Sequence, residues 1–125
     1  MAAVGKFTQL VLECADPRQL SAFWQDVLDL DPAYGDDDWL TLDWAPVGRL
    51  SFHRVEGYVP PPWPGDTGES QVHFDLLVED LARAAARVRE AGARVLGDVR
   101  DPGPGEWQVF ADPAGHPFCL VTIPV

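Results

Sequence analysis

Residues 7–30 read FTQLVLECADPRQLSAFWQDVLDL, and residues 71–92 read QVHFDLLVEDLARAAARVREAG. These two stretches decide the fold, because the second repeats the layout of the first. In the first, Leu10, Leu12 and Cys14 alternate with Gln9, Val11 and Glu13, the period of two that marks a half-buried strand. Asp16 then offers an N-cap oxygen, and Pro17 takes the first helical position, where a missing N–H does no harm. Leu20, Phe23, Trp24, Val27 and Leu28 follow at helical spacing and form one apolar stripe. This helix is expected to end near Leu30, ahead of Asp31-Pro32. In the second stretch Val72, Phe74, Leu76 and Val78 alternate with His73, Asp75 and Leu77. Asp80 opens a helix with Leu81, Ala84, Ala85 and Val88 on one face, and Gly92 closes it.

The repetition continues outward. Strands are expected at Trp39–Trp44 and Arg49–Val55 in the first half, and at about 94–99, 106–111 and 117–123 in the second. Asp80 follows Asp16 by 64 residues, and His73 follows Gln9 by the same 64. Trp107 follows Trp39 by 68, and Phe118-Cys119 is aligned with Phe52-His53 at an offset of 66. Such steady offsets over several elements mark an internal repeat. The reading is one α+β domain over residues 1–125, made of two βαβββ modules in tandem. Module 1 spans about 6–56 and module 2 about 70–125, joined by the Pro- and Gly-rich linker 57–69. Helices would lie on the outer face of a cupped mixed sheet, and the opposite faces would line a concave ligand site.

Composition narrows the function classes. A chain of 125 residues with 46% hydrophobic residues can bury a core. No apolar run approaches the ~18 residues of a membrane span, and the first residues lack a signal-peptide layout, so a cytoplasmic protein is expected. Two cysteines, Cys14 and Cys119, fit reduced thiols there. The net charge of −11 argues against nucleic acid and anionic membranes as partners. It favours cationic ligands, and it also serves simply to keep a protein soluble. A homodimer is expected, since open sheets leave edges and apolar rims.

The doubled order of elements, the run HFDLLVED at 73–80, the close DPAGHPFCL at 112–120 and PPPWPG at 60–65 resemble the glyoxalase/bleomycin resistance protein/dioxygenase (vicinal oxygen chelate) superfamily, in particular an actinobacterial glyoxalase-like subgroup. The resemblance covers essentially the whole chain. It implies a small-molecule site and, in members with chemistry, a divalent metal held at four pseudo-symmetric strand positions filled mostly by His and Glu. Carried onto this sequence, those positions are Gln9, His53, His73 and Cys119. The usual glutamates are absent, which disfavours Mg, Mn, Fe and Ni. No cofactor is therefore expected, with zinc through His53, His73 and Cys119 as the alternative.

The tryptophans carry the ligand reading. Trp24 belongs to the helix stripe and Trp44 packs at a strand end. Trp39 and Trp107 open equivalent strands and should face the site, with Trp63 of the linker as a third aromatic wall. Gln9, His53, His73, Asp75 and Cys119 complete the candidate ligand-binding set. If there is chemistry, His73 is the general base and Asp75 its partner. The competing readings are a hydrogen-bonded strand histidine, a buried inert thiol at Cys119, and tryptophans that pack a dimer interface. His116 is read as structural and Asp36-Asp37-Asp38 as a solvated turn. Three function classes follow: a protein that binds or sequesters an aromatic or cationic compound, a lyase, isomerase or dioxygenase that is metal-dependent or uses His73 with Asp75, and a non-catalytic regulatory binding module.

Overall fold

A strand whose alternate residues are apolar must cover one face, and a helix with one apolar stripe must do the same, so each strand–helix pair nucleates a two-layer unit. The computed structural model describes residues 3–62, 72–101 and 103–123. Trp63 and residues 63–69 of the linker lie outside the described residues. The chain divides into two compact units, Met1–Val59 and Pro60–Val125.

The first unit runs β1 (Gln9–Cys14), α1 (Pro17–Leu28), β2 (Tyr34–Gly35), β3 (Trp39–Trp44) and β4 (Gly48–Arg54). Its sheet has the order β1-β4-β3-β2, with β1 parallel to β4 and the other neighbours antiparallel. The second unit runs β5 (Phe74–Leu77), α2 (Leu81–Ala91), β6 (Arg94–Val95), β7 (Trp107–Ala111) and β8 (Pro117–Val121), in the matching order β5-β8-β7-β6. The fold is thus α+β, two βαβββ modules in tandem. Among the described residues no helix is long and apolar enough to cross a membrane.

Local chemistry explains the boundaries. The Asp16 carboxylate accepts from the backbone N–H of Arg18 and Gln19, and Asp80 does the same for Arg83. Helix α1 stops at Leu28, two residues before the expected end, because Asp29 turns into the left-handed region at φ 52°. Strand β6 covers only Arg94–Val95 of the expected 94–99. Past it the chain pairs with β7 intermittently, through Leu96 N–H to the Val109 carbonyl and a bridge between Arg100 and Trp107.

The core of the first unit is Leu20, Phe23 and Trp24 of α1 with Leu40, Leu42, Leu50 and Phe52 of the sheet, all buried. Cys14 belongs to the same apolar face, as its alternation implied. In the second unit Phe110 and Phe118 stack at 5.8 Å on the apolar face, beside Leu120. This arrangement commits one sheet face in each unit to packing and leaves the other for the polar strand residues.

Candidate functional site

Module 2 gathers its chemistry on one sheet face. His73 lies immediately before β5 and Asp75 within it, and their side chains meet. The parallel register places Asp75 directly across from Cys119. His73 Nε2 lies 3.3 Å from Asp75 Oδ1. One donor atom from each of His73, Asp75 and Cys119 lies within 4.8 Å of the others. Cys119 is only 6% exposed, and it shares a small apolar cluster with Val109, Val121 and the half-buried Leu96. Burial, reinforced by the charge and hydrogen bond of Asp75, pushes the Cys119 thiol up from 9.0 to about 11. A thiol so placed is protonated and a poor nucleophile at neutral pH, so the reading of Cys119 as unreactive by itself agrees with its surroundings.

Module 1 carries the counterpart, and here the register corrects the alignment drawn from sequence. Cys119 pairs with Val109 and Asp75, whereas Ser51 pairs with Thr41 and Val11. Thr41 and Val109 differ by 68 residues, as do Ser51 and Cys119, while Val11 and Asp75 differ by the 64 already seen for Gln9 and His73. The module-1 equivalent of Cys119 is therefore Ser51, not His53. Ser51 is fully buried and Thr41 nearly so. The Ser51 hydroxyl donates to Gln9 Oε1 at 2.7 Å, and Thr41 Oγ1 lies 2.9 Å from Ser51 Oγ. Because the single Ser51 proton is used on Gln9, Thr41 is the donor in the second bond.

His53 sits two residues further along the same face and is engaged elsewhere. Its Nδ1 lies 2.7 Å from Glu13 Oε2, its cross-strand neighbour, and its ring lies 5.3 Å from that of Trp39. Glu13, Ser51 and Thr41 were not singled out from sequence. Trp39 and Trp107 fall at equivalent ladder positions, opposite His53 and Val121, and each remains 38% exposed. His116 packs against the buried Asp112, whose carboxylate also accepts from the backbone N–H of Ala114 and His116. This closes the Asp112–His116 turn and fits the structural role. The acidic run is also a turn. Asp36 accepts from the N–H of Asp38 and Trp39, Asp37 pairs with Arg18, and Asp38 pairs with Arg54 at 3.4 Å.

A family model described as a glyoxalase-like domain matches residues 9–121. The chain belongs to the glyoxalase-like domain family. No curated protein matches it. Solved structures agree on the fold across nearly the whole chain. The fosfomycin resistance protein FosX from Mesorhizobium loti is 17% identical, with a TM-score of 0.70 over 99% of this chain and 96% of that one. A glyoxalase/bleomycin resistance protein/dioxygenase family enzyme from Burkholderia phytofirmans PsJN is 16% identical, with a TM-score of 0.69 over 91% and 95%. Oxidase ChaP-H2 is 22% identical, with a TM-score of 0.66 over 98% and 96%. At these identities the likeness establishes the fold alone.

The metal that a glyoxalase-like fold brings to mind can be tested against the donors present. In module 1 the two corner positions are Gln9 and Ser51, both neutral and bonded to each other. They offer no anionic ligand and do not fit a hard divalent ion. In module 2 an imidazole, a carboxylate and a thiol converge, a mixed N, O and S set suited to zinc.

Proposed function

We propose that this glyoxalase-like protein binds a small organic molecule, aromatic and neutral or cationic, on the sheet face opposite the helices. The carrying observation is the pair Trp39 and Trp107. The repeat places both at the same ladder position, and each keeps 38% of its surface exposed while Phe52, Phe110 and Phe118 on the helix-facing side are buried. Indole faces supply area and attract cations by roughly 0.5–2 kcal/mol per contact. Within each unit polar groups lie on the same sheet face as its tryptophan: Gln9 and His53 with Trp39 in the first, and His73, Asp75 and Cys119 with Trp107 in the second. Each neutral hydrogen bond adds about 1 kcal/mol and orients the ligand. The net charge of −11 favours a cation over an anion. We read the protein as cytoplasmic, in keeping with two cysteines that form no disulfide.

The test is a titration with a panel of cationic and neutral aromatic compounds, followed by tryptophan fluorescence. At least one compound should bind saturably. Trp107→Ala should then weaken binding about 2- to 30-fold, the equivalent of the aromatic contact, and more than His73→Ala does. A folded protein whose fluorescence no compound alters would remove this reading and leave the tryptophans as packing.

The His73–Asp75 pair favours a second reading, in which the same site performs proton transfer. Asp75 orients the imidazole from 3.3 Å, the arrangement that a general base needs. In that case His73→Ala abolishes turnover of a bound compound while binding survives.

A further inference from the structure

We propose that the first unit carries a general base of its own, His53, oriented by Glu13 and set against the indole of Trp39, and that it takes a proton from a flat, neutral carbon acid lying on that ring. The inference rests on the binding reading in one respect, that the Trp39 face takes an organic molecule. Strand β4 lies inside its sheet, with β1 on one side and β3 on the other. His53 of β4 therefore has two ladder neighbours, Glu13 on β1 and Trp39 on β3. Glu13 Oε2 stands 2.7 Å from His53 Nδ1, and the Trp39 ring lies 5.3 Å from the imidazole at 46°. A carboxylate only accepts, so Nδ1 carries the hydrogen and the lone pair of the neutral ring sits on Nε2. Among the described residues Nε2 of His53 has no partner. His73 is turned the other way, with its own Nε2 on Asp75 at 3.3 Å.

The backbone around His53 is tied on both sides. The N–H of Val55 donates to the Cys14 carbonyl and the N–H of Arg54 to the Asp38 carbonyl, while the Cys14 thiol lies 3.7 Å from the His53 carbonyl. A group on such a strand is held more precisely than one on a loop. The second unit shows what the repeat supplies without this chemistry. Leu77 and Val121 stand where Glu13 and His53 stand in the first, at the same offsets of 64 and 68, and flank Trp107 in the same register. The tryptophan is common to both units, whereas the imidazole–carboxylate pair belongs to one.

Charge selects the substrate class. Arg54, the cation next to His53 in sequence, pairs with Asp38 at 3.4 Å, so Glu13 sets the field at the imidazole. When Nε2 takes a proton, the imidazolium forms beside that carboxylate as an ion pair and not as an isolated cation. An anionic substrate would meet Glu13 as a like charge, whereas a neutral one would not. In the step itself the C–H bond breaks, its proton goes to Nε2, and its electron pair moves into an adjacent carbonyl as an enolate. Return of the proton at a neighbouring carbon completes an isomerisation that needs no oxidant, reductant or second substrate.

The test uses the full chain and 5-nitrobenzisoxazole, a flat neutral aromatic with one acidic ring C–H. A base takes that proton, the freed electron pair completes a nitrile, the N–O bond breaks to a coloured phenolate, and the imidazolium then releases its proton to solvent. Binding is followed separately by tryptophan fluorescence. A saturable rate is expected, at least about tenfold above that of free imidazole at the same concentration. His53→Ala should remove it, and added imidazole should restore part of it. Glu13→Gln should lower kcat about tenfold and leave KM within about twofold, as a positioning role requires. Tyr34→Phe, at an exposed contact with Asp43, should change neither. Circular dichroism checks each fold, and His53→Gln replaces His53→Ala if the latter does not fold. Saturable binding with a rate that His53→Ala leaves intact, or that His73→Ala alone removes, would overturn the base and leave binding standing. A His53-dependent rate that never saturates would support the base and remove the binding reading. A loss in Glu13→Gln confined to KM would overturn the positioning role, and neither binding nor turnover would overturn both readings.

Discussion

At the scale of single residues, Ser51 links two other side-chain oxygens. Its hydroxyl donates to Gln9 and accepts from Thr41, with all three on one face of the first sheet. Ser51→Ala removes the donor from Gln9 and the acceptor from Thr41, so a loss of about 1–3 kcal/mol is expected in urea unfolding. Its counterpart Cys119 acts through protonation. Burial and then Asp75 raise its thiol from 9.0 to about 11. Between those values the unfolded chain has given up the proton and the folded chain has not. Stability therefore falls as pH rises from about 9 to about 11, and this group contributes no slope below that window. About two pH units correspond to roughly 3 kcal/mol. The metal-free protein should lose that much more across the window than Cys119→Ala, measured by denaturant midpoints at each pH, and equal losses would refute the assignment. The equivalence of Ser51 and Cys119 was hidden in the sequence for a physical reason. His53 and Ser51 are two residues apart, and a slip of two leaves every side chain on the same sheet face. Alternation could therefore place the Ser51 region on the face away from the helix without saying which residue held the corner. The 68-residue offset of Trp39 and Trp107 would have settled it.

At the scale of elements, the helix starts were legible and the helix ends were less so. Asp16 and Asp80 cap their helices as the Asp-before-stripe pattern implied. Asp16→Ala should cost about 1 kcal/mol and at most about 2, read as a shift in urea midpoint. The end of α1 has no glycine to announce it. Asp29 instead adopts φ 52° itself, and its N–H bonds back to the carbonyls of Asp26 and Gln25. Glycine reaches that conformation without a steric cost. Asp29→Gly should therefore leave stability unchanged or raise it by up to about 1 kcal/mol, whereas Asp29→Val should lower it. The opposite order in thermal melts would show that the left-handed turn is not the stop signal. A strand was legible at about 94–99 but its shortness was not, because Val95, Leu96 and Val99 look like a continuous strand in sequence, while Gly97 and Asp98 interrupt the ladder that would have made them one.

At the scale of the whole molecule, charge and the outer strand edges of the described sheets pull in opposite directions, and their balance bears on assembly. In each sheet one outer strand is only two residues long, β2 in the first and β6 in the second, which blunts that edge. The other outer strands, β1 and β5, are longer, and exposed apolar side chains lie at or beside them, among them Phe7, Val72 and Leu77. Such edges are commonly covered by a second copy, and we expect a homodimer. Each chain brings a net charge of −11, so two copies repel one another over a distance that salt shortens, about 10 Å at 0.1 M and about 3 Å at 1 M. Apolar association gains nothing comparable from dilution of salt. The dimer should accordingly be the main species at tens of micromolar protein in about 0.15 M salt, an order-of-magnitude range in which mass action favours it, and should loosen as salt is lowered. Multi-angle light scattering at two ionic strengths separates the possibilities. A monomer mass at both would mean that β1 and β5 need no second chain, and a dimer that loosens as salt is raised would mean that ion pairs hold it instead of apolar contact.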